Sequence, residues 1–174
     1  MTGPEIAITI RPEQEGDEAA IRDLVIRAFD GHPHSDGDEH SVIDRLRAGA
    51  DLALSLVAED GEAVVGHIAY SPAILTNGDN GWFVLGPVAV EPSYQAGGIG
   101  RALIEAGEAE LRARGAKGLT VLGDPAIYSR FGFATDTPMW LAGELGWAFQ
   151  VKSFDGPIPA CEQRYVAAFD PPGR

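Results

Sequence analysis

Residues 82–105 read WFVLGPVAVEPSYQAGGIGRALIE, an apolar strand pattern followed by a glycine-rich turn and the start of a helix. The stretch from Trp82 to Val90 is almost wholly apolar, which is typical of a central strand covered on both faces. Pro87 conflicts with that pattern, because proline cannot donate to a strand ladder. We therefore expect the strand to bulge near Pro87 and to part there from one neighbour. Such a parting would leave a slot where backbone groups can meet a ligand.

The turn at 95–100 precedes a helix that the spacing of apolar residues predicts from Gly98 to Arg114. Glycines in such a turn let the backbone approach a ligand closely and accept positive φ angles. The first N–H groups of a helix have no intrahelical partner, and the helix dipole adds partial positive charge there. The turn therefore suits a phosphate or a diphosphate, with Arg101 as a nearby cation.

Two common phosphate motifs do not fit this turn. A Walker loop ends in Gly-Lys-Ser/Thr, whereas Gly100 is followed by Arg101 and Ala102. A dinucleotide fingerprint needs a third glycine, but Leu103 stands at that position. A nucleotide-binding protein that uses the turn differently, or a helix start that holds no ligand, remains open from the residues alone.

Length and composition indicate one globular domain. The chain has 174 residues, 45% of them hydrophobic, and a formal net charge of −13, which argues against a nucleic acid partner. Cys161 is its only cysteine, so neither a disulfide framework nor a cysteine-built zinc site is expected. The sequence has neither an apolar run near the ~20 residues of a membrane span nor the pattern of a secretion signal. We therefore predict a cytoplasmic protein without a membrane partner.

The order of elements predicts an α+β fold with a mixed, largely antiparallel sheet flanked by helices. A first strand at 6–10 precedes two helices, and the turn at Asp60 and Gly61 joins two further apolar strands as a hairpin. After the central strand and the long helix come a short strand at 119–122, a short helix at 125–130, and a terminal strand at 163–169. Residues 134–160 give no clear pattern. The strands do not alternate regularly with helices, which excludes a doubly wound fold.

Two motifs in this order resemble the GCN5-related N-acetyltransferases, the GNAT family. The first is Gln95-x-x-Gly98-x-Gly100 after an apolar strand, which is similar to the acyl-CoA loop of that family. The second is AIYSRFGF at 126–133, where a tyrosine stands four residues before Gly-Phe. The whole stretch from LGPVAV at 85–90 to LGDPAIYSRFGF at 122–133 is particularly similar to a YhbS-like group of bacterial predicted acetyltransferases. The resemblance covers residues 6–133 well and residues 134–174 loosely, within a single domain at 1–174.

The resemblance implies a site for acetyl-CoA beside a splayed central strand. In that family pantetheine lies in the gap between the central strand and the next one, here Lys117 to Leu122. Val88, Ala89 and Val90 would line the gap, and backbone groups of Val88 and Val90 would pair with the pantetheine amides. The pyrophosphate would be held by Gln95, Ala96, Gly97, Gly98, Ile99, Gly100 and Arg101. No metal is implied.

The implied reaction is direct attack of an amine on the thioester of acetyl-CoA in a ternary complex. Tyr128 matches the family's tyrosine and would be the general acid that protonates the departing thiolate. The general base stays unassigned, because WFVLGPVAV contains no carboxylate; His67 or an ordered water chain could serve. The acceptor is expected to be a small-molecule or peptide amine. A catalytically silent acetyl-CoA sensor is the alternative function, and a monomer or a homodimer is expected.

Two further groups of residues allow more than one interpretation. Histidines and acids crowd the stretch DGHPHSDGDEH, but without a recognised metal-ligand spacing they indicate a solvated loop beside the acceptor. Its acids would favour cationic acceptors. Aromatic residues in the final third could either shape the acceptor pocket or cover the sheet: Trp140, Trp147 and Phe149.

Overall fold

A six-stranded mixed sheet forms the centre of the fold in the computed structural model, which describes residues 7–170. The strands are β1 (Ile8–Pro12), β2 (Leu54–Asp60), β3 (Ala63–Pro72), β4 (Ile74–Leu75), β5 (Trp82–Val90), β6 (Gly118–Leu122), β7 (Phe149–Ser153) and β8 (Gln163–Arg164). Their order in the sheet is β1-β2-β3-β5-β6-β7, and β4 pairs with β8 separately. Only the β5–β6 pair among these strands is parallel. The predicted α+β fold with a largely antiparallel sheet is confirmed.

Helices cover both faces of the sheet. Helices α1 (Glu18–Phe29) and α2 (Glu39–Ala48) pack on one face, against a core that includes Val57 and Ala89. Helix α3 (Ile99–Ala113) packs on the other face, and the short α4 (Pro125–Tyr128) follows β6. Within residues 7–170, none of these helices combines the length and the apolar character that crossing a bilayer requires.

The central strand parts from one neighbour, as Pro87 predicts. The β5–β6 pairing runs from Trp82 opposite Gly118 only as far as Leu85 opposite Val121. The rest of β5 pairs with β3 alone, after a register shift between Ile68 and Tyr70 on β3. One edge of β5 beyond Leu85 therefore faces a gap, which we call the β5–β6 gap.

Several boundaries differ from the sequence-based expectations. Helix α3 begins at Ile99, one residue after the predicted Gly98, which takes a left-handed conformation. The terminal strand predicted over 163–169 is present but shorter: β8 covers only Gln163–Arg164, because its partner β4 is two residues long, and a 3-10 turn follows at Ala167–Phe169. Strand β7 was not expected. Ile6, the predicted start of the first strand, lies outside the described residues.

Two glycines let α3 lie close to the sheet. A Cβ atom on Gly66 of β3 would come within 2.8 Å of Ile99 Cγ2 and 3.0 Å of Leu103 Cδ1. A Cβ on Gly107 of α3 would come within 2.3 Å of the ring of Tyr70, which is fully buried and donates its hydroxyl to the carbonyl of Ile104 at 3.3 Å. The sheet therefore fixes both the first turn and the middle of α3.

We predict that Gly107→Ala destabilises the fold by about 1–3 kcal/mol, because the added methyl overlaps a buried ring that has no room to move. The free energy of unfolding from denaturant titration measures this effect. A glycine-to-alanine change inside an unconstrained helix stabilises by up to about 1 kcal/mol. The sign of the change in the free energy of unfolding therefore distinguishes the two cases. A stabilised Gly107→Ala variant would contradict the role of Gly107 as the contact surface for Tyr70.

Candidate functional site

The β5–β6 gap exposes backbone hydrogen-bonding groups of β5. The N–H of Glu91 donates to the carbonyl of Val65 at 2.8 Å, which fixes which residues of the β3–β5 ladder exchange hydrogen bonds. Because such pairs alternate along an antiparallel ladder, the groups of Ala89 point to β3, and those of Val88 and Val90 point to the gap. The structure therefore directs Val88 and Val90 into the gap and uses Ala89 within the sheet.

Gln95 already contacts one of these groups. Its side-chain amide donates to the carbonyl of Val90 at 3.1 Å. This bond ties the start of the glycine turn to the end of β5, so the turn and the gap are adjacent. The N–H and carbonyl of Val88 and the N–H of Val90 remain available to a ligand lying in the gap.

The glycine turn presents a run of unpaired N–H groups at the start of α3. Gly98 has a φ angle of 86°, and the first helical hydrogen bond runs from the N–H of Ala102 to its carbonyl at 3.0 Å. Within residues 7–170, the N–H groups of Gly98, Ile99, Gly100 and Arg101 therefore have no acceptor. Apart from its two chain neighbours, no atom of residues 7–170 lies within 4 Å of the position a Cβ on Gly98 would occupy.

The other predicted turn residues play different parts. The N–H groups of Gln95 and Gly97 donate within the turn, to the carbonyls of Pro92 and Tyr94, both at 3.4 Å. Ala96 has a φ angle of 66°, an uncommon conformation for a residue with a side chain. These residues shape the turn, whereas the N–H groups from Gly98 onward are directed outward. The side chain of Arg101 is largely exposed and pairs with Glu105 at 2.9 Å, a contact that costs little to exchange.

Tyr128 lies at the opposite side of the gap, beyond the end of β6. Its ring lies so close to Gly123 that a Cβ there would come within 2.5 Å of Tyr128 Cε2. The ring also packs edge-to-face on Phe133, with centroids 5.9 Å apart. Burial raises the pKa of Tyr128 above its ordinary value, and no hydrogen bond to a described residue contributes to the shift. The hydroxyl is therefore protonated at neutral pH and available as a donor.

Gln150 of β7 was not singled out in the sequence, yet it organises this side of the gap. Its side-chain amide donates to the carbonyls of Gly123 at 3.0 Å and Ala148 at 3.3 Å, and the residue is fully buried. Ala148 also accepts the N–H of Gly123 at 3.1 Å. Residues 123 and 148 are therefore held together. The uninformative pattern of residues 134–160 hid the strand that carries Gln150, and no local signal pointed to it.

His67 belongs to a buried polar network rather than to an open site. Its Nε2 lies 2.8 Å from Ser55 Oγ, and the Ser55 hydroxyl donates to the Glu13 carboxylate, which also accepts from Arg47 at 2.6 Å. The single Ser55 proton goes to that carboxylate, so His67 Nε2 carries the proton that is donated to Ser55. His67 is fully buried, and burial lowers its pKa to about 3. The imidazole is therefore neutral under physiological conditions.

The remaining candidate residues separate clearly by exposure. Trp140 and Trp147 are 52% and 64% exposed, whereas Phe149 is 3% exposed and covers the sheet.

Asp38 of the histidine-rich loop pairs with Arg45 at 2.7 Å. Within residues 7–170, no group of three or more histidine, cysteine or acidic side chains converges as a metal site would require.

A cleft of about 740 Å³ lies away from this region. Its lining includes Trp82, Lys117 and Arg112, so it sits where β5 and β6 begin, at the opposite end of the strands from the gap. The cleft and the β5–β6 gap therefore lie at different ends of the two strands. The unpaired backbone groups of β5 and of α3 locate the candidate site better.

Comparison with known proteins agrees with this arrangement. The profile of the Acetyltransferase (GNAT) family matches residues 9–133. The uncharacterized N-acetyltransferase YhbS of Escherichia coli K12 is 39% identical over 125 residues, which are 71% of this chain and 72% of that protein. The uncharacterized N-acetyltransferase YjhQ of the same organism is 33% identical over 127 residues, which are 72% of this chain and 68% of that protein.

Two solved structures are similar over almost the whole chain. A GNAT family acetyltransferase from Brucella melitensis in complex with acetyl-CoA has a TM-score of 0.85 and 41% identity, covering 95% of this chain and 100% of that one. YhbS from Escherichia coli in complex with CoA has a TM-score of 0.86 and 31% identity, covering 99% and 97%. The similarity therefore includes the final third, where the sequence resemblance is loose.

We predict that His67 makes the fold sensitive to acid. Its pKa is about 3 in the folded state against an ordinary 6.5, so below 6.5 the unfolded chain binds a proton that the folded chain does not. The free energy of unfolding therefore falls as pH falls, by roughly 2 kcal/mol between about pH 7 and about pH 5 from this group. His67→Gln should flatten that part of the pH dependence.

The measurement is denaturant unfolding across this pH range, with His34→Gln as the matched control. His34 is an exposed histidine of the loop between α1 and α2, so its replacement makes the same chemical change without touching the buried network of His67. Equal slopes for the unmodified protein and His67→Gln would contradict the assignment of the acid sensitivity to His67.

Proposed function

Because the chain belongs to the GNAT acetyltransferase family, we propose that it transfers the acetyl group of acetyl-CoA to an amine. The observation that carries the proposal is the juxtaposition of two sets of unpaired backbone groups. Val88 and Val90 point into the β5–β6 gap, and the uncapped N-terminus of α3 lies beside them. The similar structures from Brucella melitensis and Escherichia coli contain acetyl-CoA and CoA, which supports this use of the two features.

On this proposal the chain binds acetyl-CoA through its backbone. The N–H groups from Gly98 to Arg101 would hold the diphosphate, favoured by the helix dipole. The carbonyl of Val88 and the N–H of Val90 would pair with the amides of the pantetheine arm as a neighbouring strand would, which leaves the N–H of Val88 free. Arg101 would exchange Glu105 for a phosphate, a stronger partner than an exposed carboxylate at the same site.

Acetyl-CoA supplies an activated thioester that a neutral amine attacks directly. As the C–N bond forms and the C–S bond breaks, the nitrogen loses one proton to water and becomes an amide, and the CoA sulfur leaves as a thiolate. The carbonyl oxygen gathers negative charge in this step, and the N–H of Val88 is the donor that β5 offers to it. Burial raises the pKa of Tyr128, so the phenol is protonated at neutral pH. It donates this proton to the departing sulfur, and the phenolate regains a proton from water.

The amine must lose a proton before it attacks, and β5 carries no carboxylate for that task. His67 is a poor candidate, because its pKa is about 3 and its Nε2 proton is committed to Ser55. We propose that water in the gap carries the proton to solvent. The rate should then follow the fraction of the amine that is neutral.

Gly98→Asp should weaken acetyl-CoA binding by at least roughly 10-fold, because a carboxylate at the start of α3 repels the diphosphate. Gly98→Asn is the matched control: both side chains tolerate a positive φ angle and have the same shape, but asparagine is neutral. Isothermal titration with acetyl-CoA gives the two dissociation constants. Equal constants for the Asp and Asn variants would show that no phosphate lies at this turn.

Tyr128→Phe should lower kcat by roughly 10²-fold and leave acetyl-CoA affinity nearly unchanged, because it removes the proton donor and keeps the ring. Thiol release in the presence of an amine panel measures kcat. Tyr94→Phe is a control of the same chemistry, since the Tyr94 hydroxyl bonds Asp60 at 2.6 Å, outside the gap. An unchanged kcat for Tyr128→Phe would remove Tyr128 from the mechanism. Acetyl-CoA binding without thiol release on any amine would instead indicate a silent sensor.

A further inference from the structure

We propose that the acceptor is an amine that carries an apolar, preferably aromatic, group and no acidic group, and that Trp147 holds the apolar part at the mouth of the β5–β6 gap. This inference rests on the proposed function and specifies its substrate class. It is carried by the position of Trp147, by its exposure, and by the charge of the surrounding chain.

Trp147 is placed by its neighbour in the chain. Ala148 accepts the N–H of Gly123 at 3.1 Å and the amide of Gln150 at 3.3 Å. Gly123 is the first residue after β6, just beyond the point where β6 stops pairing with β5, and the ring of Tyr128 lies against it. Trp147 and Tyr128 therefore flank the same glycine. The proposed acid and the backbone that carries Trp147 therefore lie at one end of the gap.

The side chains at this end are unusually exposed for their type. Trp147 is 64% exposed, Leu145 of the same 3-10 turn is 53% exposed, and Ile127 beside Tyr128 is 52% exposed. We call these three residues the apolar rim. All three lie within four residues of Gly123 or Ala148, which are bonded to each other. Exposed apolar residues beside a polar slot mark a binding surface, whereas single ones scattered over a protein carry no such meaning. Phe149, two residues from Trp147, is by contrast buried in the core, as expected of an aromatic residue with a structural role.

Charge around the apolar rim selects the polar part of the acceptor. Residues 123–151 carry three acids, Asp124, Asp136 and Glu144, against one base, the exposed Arg130, and the loop at 30–40 has no lysine or arginine. The exposed acids Asp124 and Glu144 lie close in sequence to the rim. An alkylammonium ion is attracted to such a surface and to the face of an indole, whereas a carboxylate or phosphate on the acceptor is repelled. Arylalkylamines have this chemistry, and free amino acids do not.

A second copy of the chain fits the rim less well. A symmetric contact through Trp147 would bring Glu144 of each copy to the same interface, on chains that each carry a net charge of −13. Like charges placed against each other in this way oppose association. An amine brings the opposite charge to the same surface.

The test is isothermal titration of 2-phenylethylamine into the protein saturated with CoA, beside ethylamine and phenylalanine. We expect 2-phenylethylamine to bind at least roughly 10-fold more tightly than either, since ethylamine lacks the ring and phenylalanine adds a carboxylate. Trp147→Ala should weaken 2-phenylethylamine binding roughly 10-fold and leave ethylamine and CoA binding unchanged. Trp140→Ala is the matched control. Trp140 is also about half exposed, but its backbone N–H and carbonyl bond to Cys161 and Gln163 rather than to the residues around Gly123.

The outcomes separate this inference from the proposed function. Equal binding of all three amines, or equal losses for Trp147→Ala and Trp140→Ala, would overturn the inference even where thiol release shows that acetyl transfer occurs. Selective binding through Trp147 without acetyl transfer to any amine would overturn the proposed function and the acceptor role with it, and would indicate a silent sensor that binds an aromatic amine. Unchanged amine binding together with a Trp147-dependent dimer in sedimentation would assign the rim to self-association and overturn the inference.

Discussion

The parting of β5 from β6 is the constraint on which the candidate site depends. Two parallel strands that paired along their whole length would satisfy each other's backbone groups and leave nothing for a ligand. Here the pairing stops at Leu85 opposite Val121, while β3 holds the other edge of β5 through Val90. The separated stretch is therefore rigid on one side and unpaired on the other. A rigid strand with unpaired groups can receive an extended ligand without first being ordered.

Close packing of α3 brings the second half of the site to the first. Gly66 lies opposite Val90 in the sheet and is also where the first turn of α3 makes contact. Gly66 therefore pairs with the end of β5 and, because it has no side chain, also lets α3 lie close to the sheet. Gln95 completes the connection by bonding Val90. The glycine turn is therefore positioned by the core, and its own residues are left to shape the exposed N–H groups.

The sequence predicts those features of the site that depend on a local pattern of residues. The apolar run from Trp82 to Val90 gave the bounds of β5, and Pro87 gave the position of the parting, because a missing N–H has a direct consequence for a ladder. Gly98 and Gly100 likewise predicted the position of the turn before α3. The resemblance to the GNAT family added Tyr128, which no spacing rule would have selected.

Other parts of the site depend on contacts between distant segments. The pKa of His67 follows from burial and its proton position from Ser55 and Glu13, which lie on β2 and before α1. Likewise Trp147 and Phe149 are two aromatic residues in one stretch, and only the fold makes one exposed and the other buried. Gln150 acts through carbonyls at 123 and 148. No local pattern contains these distances, so the sequence left them open.

If the proposed function holds, the apolar rim and the lack of a carboxylate on β5 both bear on how the acceptor amine loses its proton. Contact with apolar side chains removes water from an ammonium group and lowers its pKa, because burial disfavours the charged form. Acids nearby attract the same ammonium from solution before that contact is made. Attraction at the edge and desolvation at the gap together bring the amine closer to its neutral form. A site with these two properties has less need of a general base, which is consistent with the neutral His67 in the core and with water as the route for the proton.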